Sequence, residues 1–420
     1  MIRIIILLIV AMLSFRMPAD AQVTYAFPPL SDDPQDKAFR SQAEAAATAA
    51  RILDAYEDKR LAGYGILDVT KAPYNAKGDG KTDNTKALQK AMKDARDARL
   101  VTWLPAGTYV VSDTLQCVQN VIDPKPLAGV AAEARLRAND FPCVIHGTGV
   151  SGRATIKLKS GSAGFGDPNQ PKPLLLIWAR SWSAPYPLAP SVSFNQAAIS
   201  INLDIRGNAG AIGIDLQGAQ GAVVEDVSIE ATGAFAGMRG LQGSGGSTTS
   251  LTVRGGQYGV YAAGIGPYRT MTGSQPSPLL TLAILQDQTV SAIEYSGRGP
   301  LTVVGTSVRG APIVSRNNVK PYNGGLSVID SVIESTGVGA AIRSDRPVYL
   351  NRTYIKGAAT IVSYSSGTDL KATGAAWSVV EEYAGASSGP FPVWLDGKKK
   401  TTAFAKVTAS SDSPPPDLLA

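Results

Sequence analysis

The sequence predicts an all-β solenoid, a single-stranded right-handed parallel β-helix with helices at its N-terminal end, one of them an end cap. Three observations point there. Short runs of alternating apolar residues recur at a nearly fixed interval: LTVVGTSVRG opens at Leu301, LSVIDSVIES at Leu326 and VYLNRTYIKG at Val348, with a similar run opening one interval earlier at Leu280. The 420 residues include 43 Gly and 27 Pro but only 18% charged residues, a profile of short strands and tight turns rather than of a helical bundle. Helical periodicity, clear near the start, disappears from Val101 onward.

The interval selects among repeat folds. A leucine-rich repeat would carry its L-x-x-L-x-L-x-x-N string, which is absent, and a propeller would need blocks of about 40 residues or more. A coil of about 21–25 residues fits three short strands, stacked on the next coil at about 4.8 Å. Inward aliphatic side chains are each worth about 1.5–3 kcal/mol when buried. A single coil cannot cover its own top and bottom, so stability comes from stacking and the open ends must be capped. Alternation places Leu203, Ile205, Ile214, Val227, Leu251, Leu301, Val303, Leu326, Val328 and Leu350 in the core, aligned along the axis.

The elements follow in order. Residues 1–21 read as an export signal: Arg3, an apolar stretch from Ile4 to Leu13, then Ala19-Asp20-Ala21 as the cleavage site, leaving Gln22 first and the protein secreted or periplasmic. That apolar stretch is too short for a membrane span, which needs about 20 residues. Residues 22–63 form a helical segment, with an Ala-rich helix predicted from Ser31 to Leu61 and stopped by Gly63. A second helix is predicted from Asp83, its N-cap, to Arg99. The β-helix occupies 64–405, and 406–420 is a Pro/Ser-rich, linker-like tail, either a loose end or the boundary before another unit.

Residue counts restrict the chemistry. The single histidine, His146, makes any Ser-His or Cys-His engine depend on one strand-end residue, and no G-x-S-x-G accompanies it. Two cysteines cannot build a zinc site alone, so no metal and no cofactor is expected. In an oxidising compartment Cys117 and Cys143 could form a disulfide; two buried free thiols are the alternative. The net charge of +6 carries no dense basic run, so no nucleic-acid partner is expected.

Two motifs carry a resemblance. YNAKGDGKTDNT from Tyr74 to Thr85, the following helix, and WLPAGTY from Trp103 to Tyr109 resemble the opening of the pectate lyase superfamily β-helix (the pectin lyase fold), in the version shared by rhamnogalacturonase, epimerase-like proteins and glycoside hydrolase family 55. Glycines 78 and 80 permit the tight turn, and the Pro105 to Gly107 turn leads into the first coil. This motif speaks for fold rather than chemistry. AIGIDLQGAQ from Ala211 to Gln220, then GSGG from Gly243, then GGQYG from Gly255, is similar in order and spacing to the first β-helix of family 55, the exo-β-1,3-glucanases. The resemblance implies that Gln217, Gln220 and Ser244 lie at a sugar-binding cleft and help to position water. Leu216 stands where that family has an aromatic. Its enzymes join two β-helices and supply the general-acid Glu downstream, which implies a second β-helix domain or chain as a partner here.

The residues alone give a compatible picture. Asn202, Asp204 and Arg206 alternate outward on one strand, Asp215 and Gln217 on the next, and Asp226, Ser228 and Glu230 after them. Glycosidic hydrolysis needs two carboxylates about 5–5.5 Å or 6.5–9.5 Å apart. Asp215 is the leading catalytic candidate, with Asp204 and Glu294 as further acids. A lyase needs instead an Arg or Lys base and cations around a uronate carboxylate, roles open to Arg206, Arg239, Arg254 and Arg269. Aromatic faces for a pyranose are offered by Trp182, Tyr186 and Tyr258, although Trp182 would equally serve to pin its own loop. The expectation is a polysaccharide-active enzyme, a glycoside hydrolase on a β-1,3-glucan-type substrate. A lyase or epimerase on a uronate glycan is the alternative, and a non-catalytic carbohydrate-binding β-helix, half of a two-helix enzyme, is the third reading.

Overall fold

A computed structural model describes residues 42–119, 140–149, 152–179, 193–243, 245–263, 277–297, 299–317, 324–337, 339–374, 376–386, 393–395, 398–400 and 403–414. Among the described residues, α1 (Gln42–Ala55) and α2 (Lys59–Gly63) precede the first strand, and α3 (Thr85–Ala98) follows the strands Ile66–Asp68 and Asp79–Asp83. The face of α3 formed by Leu88, Ala91, Met92 and Ala95 is buried in the core that runs through the coils, and α1 packs on α3. The predicted Ser31–Leu61 helix is thus broken in its described part. Asp58 ends the gap by accepting the Leu61 amide at 2.9 Å and capping α2. The stretch of that helix before residue 42, and the expected export signal, lie outside the described residues.

The second predicted helix needs a similar correction. Asn84, not Asp83, occupies the N-cap position, and its side chain caps nothing in the helix. Buried Asn84 instead accepts the Lys77 amide at 2.7 Å and donates to the Thr82 carbonyl at 2.7 Å, tying down the glycine turn. Asp83 serves the helix from one position earlier, accepting the Thr85 amide at 2.9 Å and its hydroxyl at 2.6 Å.

From Ile66 on, the chain winds through three faces. The first carries strands such as Val101–Leu104, Val144–Gly147, Leu301–Val304 and Leu326–Ile329, and the second carries Gly107–Val111, Ala154–Leu158, Ile201–Asp204 and Ser307–Gly310. Long strands such as Val223–Glu230 and Ser247–Arg254 span both faces, so the two count as one 19-stranded sheet. The third face is a separate ten-stranded sheet that includes Lys172–Ala179, Ala211–Leu216, Ala236–Arg239, Tyr258–Ala262, Ser291–Tyr295, Ile313–Ser315 and Ala340–Ser344. Pairing between successive coils is parallel. One inward ladder of the second face runs Tyr109, Ile156, Leu203, Ile229, Val253, Leu285, Val308, Ile333 and Ile355, every member buried. All ten residues named above as core lie in this one cluster.

From Ser200 on, the turn between the first two faces is marked by one residue of positive φ, found at Ser200, Asp226, Ser250, Leu282, Gly305, Asp330 and Arg352. One left-handed residue bends the strand by a corner without breaking the register on either side. Near the cap, Cys117 and Cys143 are bridged, with Cα atoms 5.9 Å apart. At the far end Trp377–Gly385 pairs antiparallel with Val348–Lys356, and Phe404–Ser410 pairs antiparallel with Trp377–Gly385. The segment expected to become a tail at 406 therefore remains a strand as far as Ser410. No helix among the described residues is long and apolar enough to cross a membrane.

Candidate functional site on the third sheet

The outer surface of the third sheet differs from the others. Second-face strands alternate buried and exposed, as in Ala154–Leu158, whereas every residue of Ala211–Leu216, Ala236–Arg239 and Ser291–Tyr295 is buried. These strands are covered on their outer side as well. In sequence, the longest stretches between described strands, residues 120–143, 180–196 and 263–278, each follow a third-sheet strand and precede a first-face strand.

Register assembles the outer ladder. Leu176, Asp215, Arg239, Tyr261, Glu294, Val314 and Arg343 are successive partners across the sheet. Asp215 and Arg239, 0% and 1% exposed, form an ion pair with contacts of 3.0 and 3.2 Å, and the Trp178 indole donates to Asp215 at 3.1 Å. Two strands on, the Glu294 carboxylate receives Arg316 Nε and the Ser291 hydroxyl, the latter at 3.2 Å. Between these charged pairs sits an aromatic group. Tyr258 and Tyr261 are half-buried with ring centroids 4.6 Å apart, and Phe235 lies 5.2 and 5.3 Å from them.

The sequence candidates sort as follows. Asp215, Gln217, Tyr258 and Glu294 come together on this face. Asp215 and Gln217 do point away from the core, but they are buried rather than displayed. The outward direction is legible in the alternation; the burial is not, because the contacts of Asp215 come from the neighbouring coils. Gln217 lies against Gly240, where an added Cβ would stand 2.0 Å from Gln217 Cγ. Gln220 is in the following turn, with a buried Oε1 that has no hydrogen-bond partner among the described residues.

Asp204 and Arg206 belong elsewhere, on the second face. They bond to each other at 2.9 and 2.8 Å, with Lys157 3.9 Å from Asp204. Burial would raise the Asp204 pKa, but the hydrogen bonds and charge of Arg206, with Lys157, outweigh it and hold the carboxyl low; the same contacts raise Arg206. Ser244, Trp182, Tyr186 and Arg269 lie outside the described residues.

This geometry limits the chemistry. Asp215 and Glu294 are three strands apart, roughly 14 Å at the usual strand spacing. That exceeds either carboxylate separation for glycoside hydrolysis. Among the described residues no three His, Cys, Asp or Glu side chains gather as metal ligands. Trp178 and Arg316 are functional neighbours that the sequence reading misses. The coil interval offers a signal for such partners, since Arg239 follows Asp215 by one coil of chain and so stacks on it.

Comparisons with known proteins give several matches. A 56-residue stretch is 43% identical to the non-secreted LysM effector LysM19 of Penicillium expansum, covering 13% of this chain and 4% of that protein. Among solved structures, the iota-carrageenase of glycoside hydrolase family 82 from A. fortis has a TM-score of 0.39 at 13% identity, over 67% of this chain and 56% of that one. The family 87 α-1,3-glucanase catalytic unit from Streptomyces thermodiastaticus gives 0.36 at 12%, over 71% and 61%. PfbA, a surface adhesin of Streptococcus pneumoniae, gives 0.35 at 11%, over 82% and 99%. The chain thus spans little more than half of the carrageenase. Residues 69–311, more than half of the sequence, match the rhamnogalacturonase A/epimerase, pectate lyase-like family. With the glycine turn, the α3 cap and the parallel coils in place, the chain belongs to that family.

Proposed function

We propose that this protein is an exported, polysaccharide-active glycoside hydrolase that holds a β-1,3-glucan-type chain along the outer face of its third sheet. The observation that carries this reading is the Tyr258 and Tyr261 pair, partly exposed where the neighbouring strands are buried and placed between Gln217 and Glu294 on the outer side of the third sheet. Such rings stack on pyranose faces, while amide and carboxylate groups beside them fix hydroxyls. In this reading Glu294 is the reacting carboxylate, oriented by Arg316 and Ser291. Asp215 holds Arg239 in place, and Gln220 and Ser244 position water, as the family 55 resemblance implies. A hydrolase needs a second carboxylate, and neither Asp215 nor Asp204 is placed to provide it beside Glu294. A second β-helix, on a longer chain or a partner, supplies it.

The test is laminarin binding by the chain, from Gln22 on, together with release of reducing sugar. Binding that is lost in Tyr258→Ala and Glu294→Gln, with cleavage restored by the second unit, is the expected result. Absence of any glycan binding ends the sugar assignment. Arg316 and exposed Arg343 on the same face favour a second reading, a lyase or epimerase on a uronate glycan. Unsaturated products absorbing in the ultraviolet from a uronan, with no action on laminarin, would select it.

A further inference from the structure

Beyond the third-sheet face, the corner where that sheet turns toward the first contains a buried cation with unusual partners. Arg346 is 0% exposed, yet among the described residues no carboxylate lies within ion-pair distance of it. Its Nε donates to the Arg316 carbonyl at 2.6 Å, and Nη1 reaches the Gly324 and Gly299 carbonyls at 3.3 and 3.4 Å. The guanidinium sits 5.0 Å from the centroid of the Tyr295 ring. Nη2 is buried and has no hydrogen-bond partner among the described residues. Desolvation pulls the Arg346 pKa down, against the opposing influence of Tyr295 and Asp345.

A second orphan shares this corner. Ser315, 1% exposed, has a buried hydroxyl with no partner among the described residues. It is the strand partner of both Tyr295 and Ser344, and the Ser344 hydroxyl brackets Arg346 by accepting its amide at 3.0 Å and donating to its carbonyl at 2.9 Å. Carbonyl dipoles stabilise a guanidinium but bring no net negative charge, and a buried unpaired ion costs several kcal/mol. Two unsatisfied buried donors, one of them on a cation with no carboxylate in contact among the described residues, call for a small acceptor that carries negative charge.

We propose that Arg346 Nη2 and Ser315 Oγ bind a small monovalent anion of the halide class inside this corner. A glycan carboxylate or sulfate cannot reach so enclosed a position, so the ion is independent of the substrate reading above. Bound there, it neutralises Arg346 and fixes the Arg316 backbone, and through it the side chain that holds Glu294.

The experiment is thermal unfolding of the protein from Gln22 on in sodium chloride, sodium bromide and sodium gluconate at matched ionic strength, with diffraction at the bromine edge on crystals grown in bromide. Chloride and bromide are expected to raise Tm over gluconate by about 1–2 °C per tenfold concentration once above Kd. Bromide should give an anomalous peak at Arg346. Ser315→Ala, which removes a hydroxyl with no protein partner among the described residues, should fold with the wild-type Tm in gluconate and lose most of the halide response. Arg346→Lys keeps the charge and should shift the response to higher halide. Equal Tm in all three salts with no bromide peak would overturn the proposal and leave water as the acceptor. So would a Ser315→Ala response equal to wild type.

Discussion

The Asp215–Arg239 pair makes a sharp test of whether Asp215 is structural or catalytic. In Asp215→Ala the carboxylate goes, while Arg239 stays 1% exposed and the Trp178 indole loses its 3.1 Å acceptor. Breaking a buried ion pair from one side costs about 3–5 kcal/mol, and the lost indole bond adds roughly 1 kcal/mol. With an unfolding entropy near 2.1 cal/mol/K per residue, a domain of this size loses roughly 5 °C of Tm for about 4 kcal/mol. Removing both charges with Asp215→Leu and Arg239→Met should recover most of that loss, because no ion is then stranded. Chemical denaturation followed by tryptophan fluorescence reads the free energies, and glucan turnover per folded molecule, with the second β-helix unit supplied, is measured alongside. An Asp215→Ala protein as stable as wild type would refute the buried-pair argument. One whose turnover falls a thousandfold while stability is unchanged would make Asp215 the reacting group instead.

Three further outcomes follow from geometry already described. Gly240→Ala combines a φ of +81° with a Cβ 2.0 Å from Gln217 Cγ, so it should lower both Tm and glucan affinity; Gly245→Ala, at φ +75° with nothing within 4 Å, should cost only the left-handed strain of about 1–2 kcal/mol. Ile229→Ala empties a rung of the inward ladder and should cost about 2–5 kcal/mol in denaturation, against little for Thr252→Ala on the outer side of the same face. Burial raises the pKa of Tyr56, Tyr74, Tyr349, Tyr364 and Tyr383 and lifts Tyr109 to about 12, from 10.0. Their contribution to stability is complete below pH 10 and is lost as pH rises through their raised values, for Tyr109 about 12, so alkaline unfolding and tyrosinate absorbance should appear together; full tyrosine titration with native circular dichroism intact would contradict this.

The architecture is largely legible because its signal is local and repeated. Leu301, Leu326 and Val348 announce themselves by interval and alternation, and their stacking follows from both. Asp83 misleads as a cap because spacing alone cannot show that Asn84 is drawn off to Lys77 and Thr82. The candidate site is legible in direction but not in company. Alternation turns Asp215 outward, yet the partner that neutralises it, Arg239, belongs to the next coil, and Trp178 to the one before. Asp204 and Glu294 look equivalent as strand carboxylates. Only the winding of the coil sends one to the second face and the other to the third.

The single-residue corner between the first two faces has a consequence for how such a protein changes over generations. Among successive corners the shortest interval runs from Asp330 to Arg352 and the longest from Ser250 to Leu282. None of that variation falls at the corner itself, where one left-handed residue must join two registered strands. In the longest interval most of the extra chain lies between Tyr258–Ala262 and Leu279–Thr281, at the exit from the third sheet. From Ser200 on, the two faces and their hinge therefore act as a fixed spine, and the difference in coil length falls outside it. Lineages can lengthen or shorten the chain where it leaves the third sheet while the spine keeps its ladders in step.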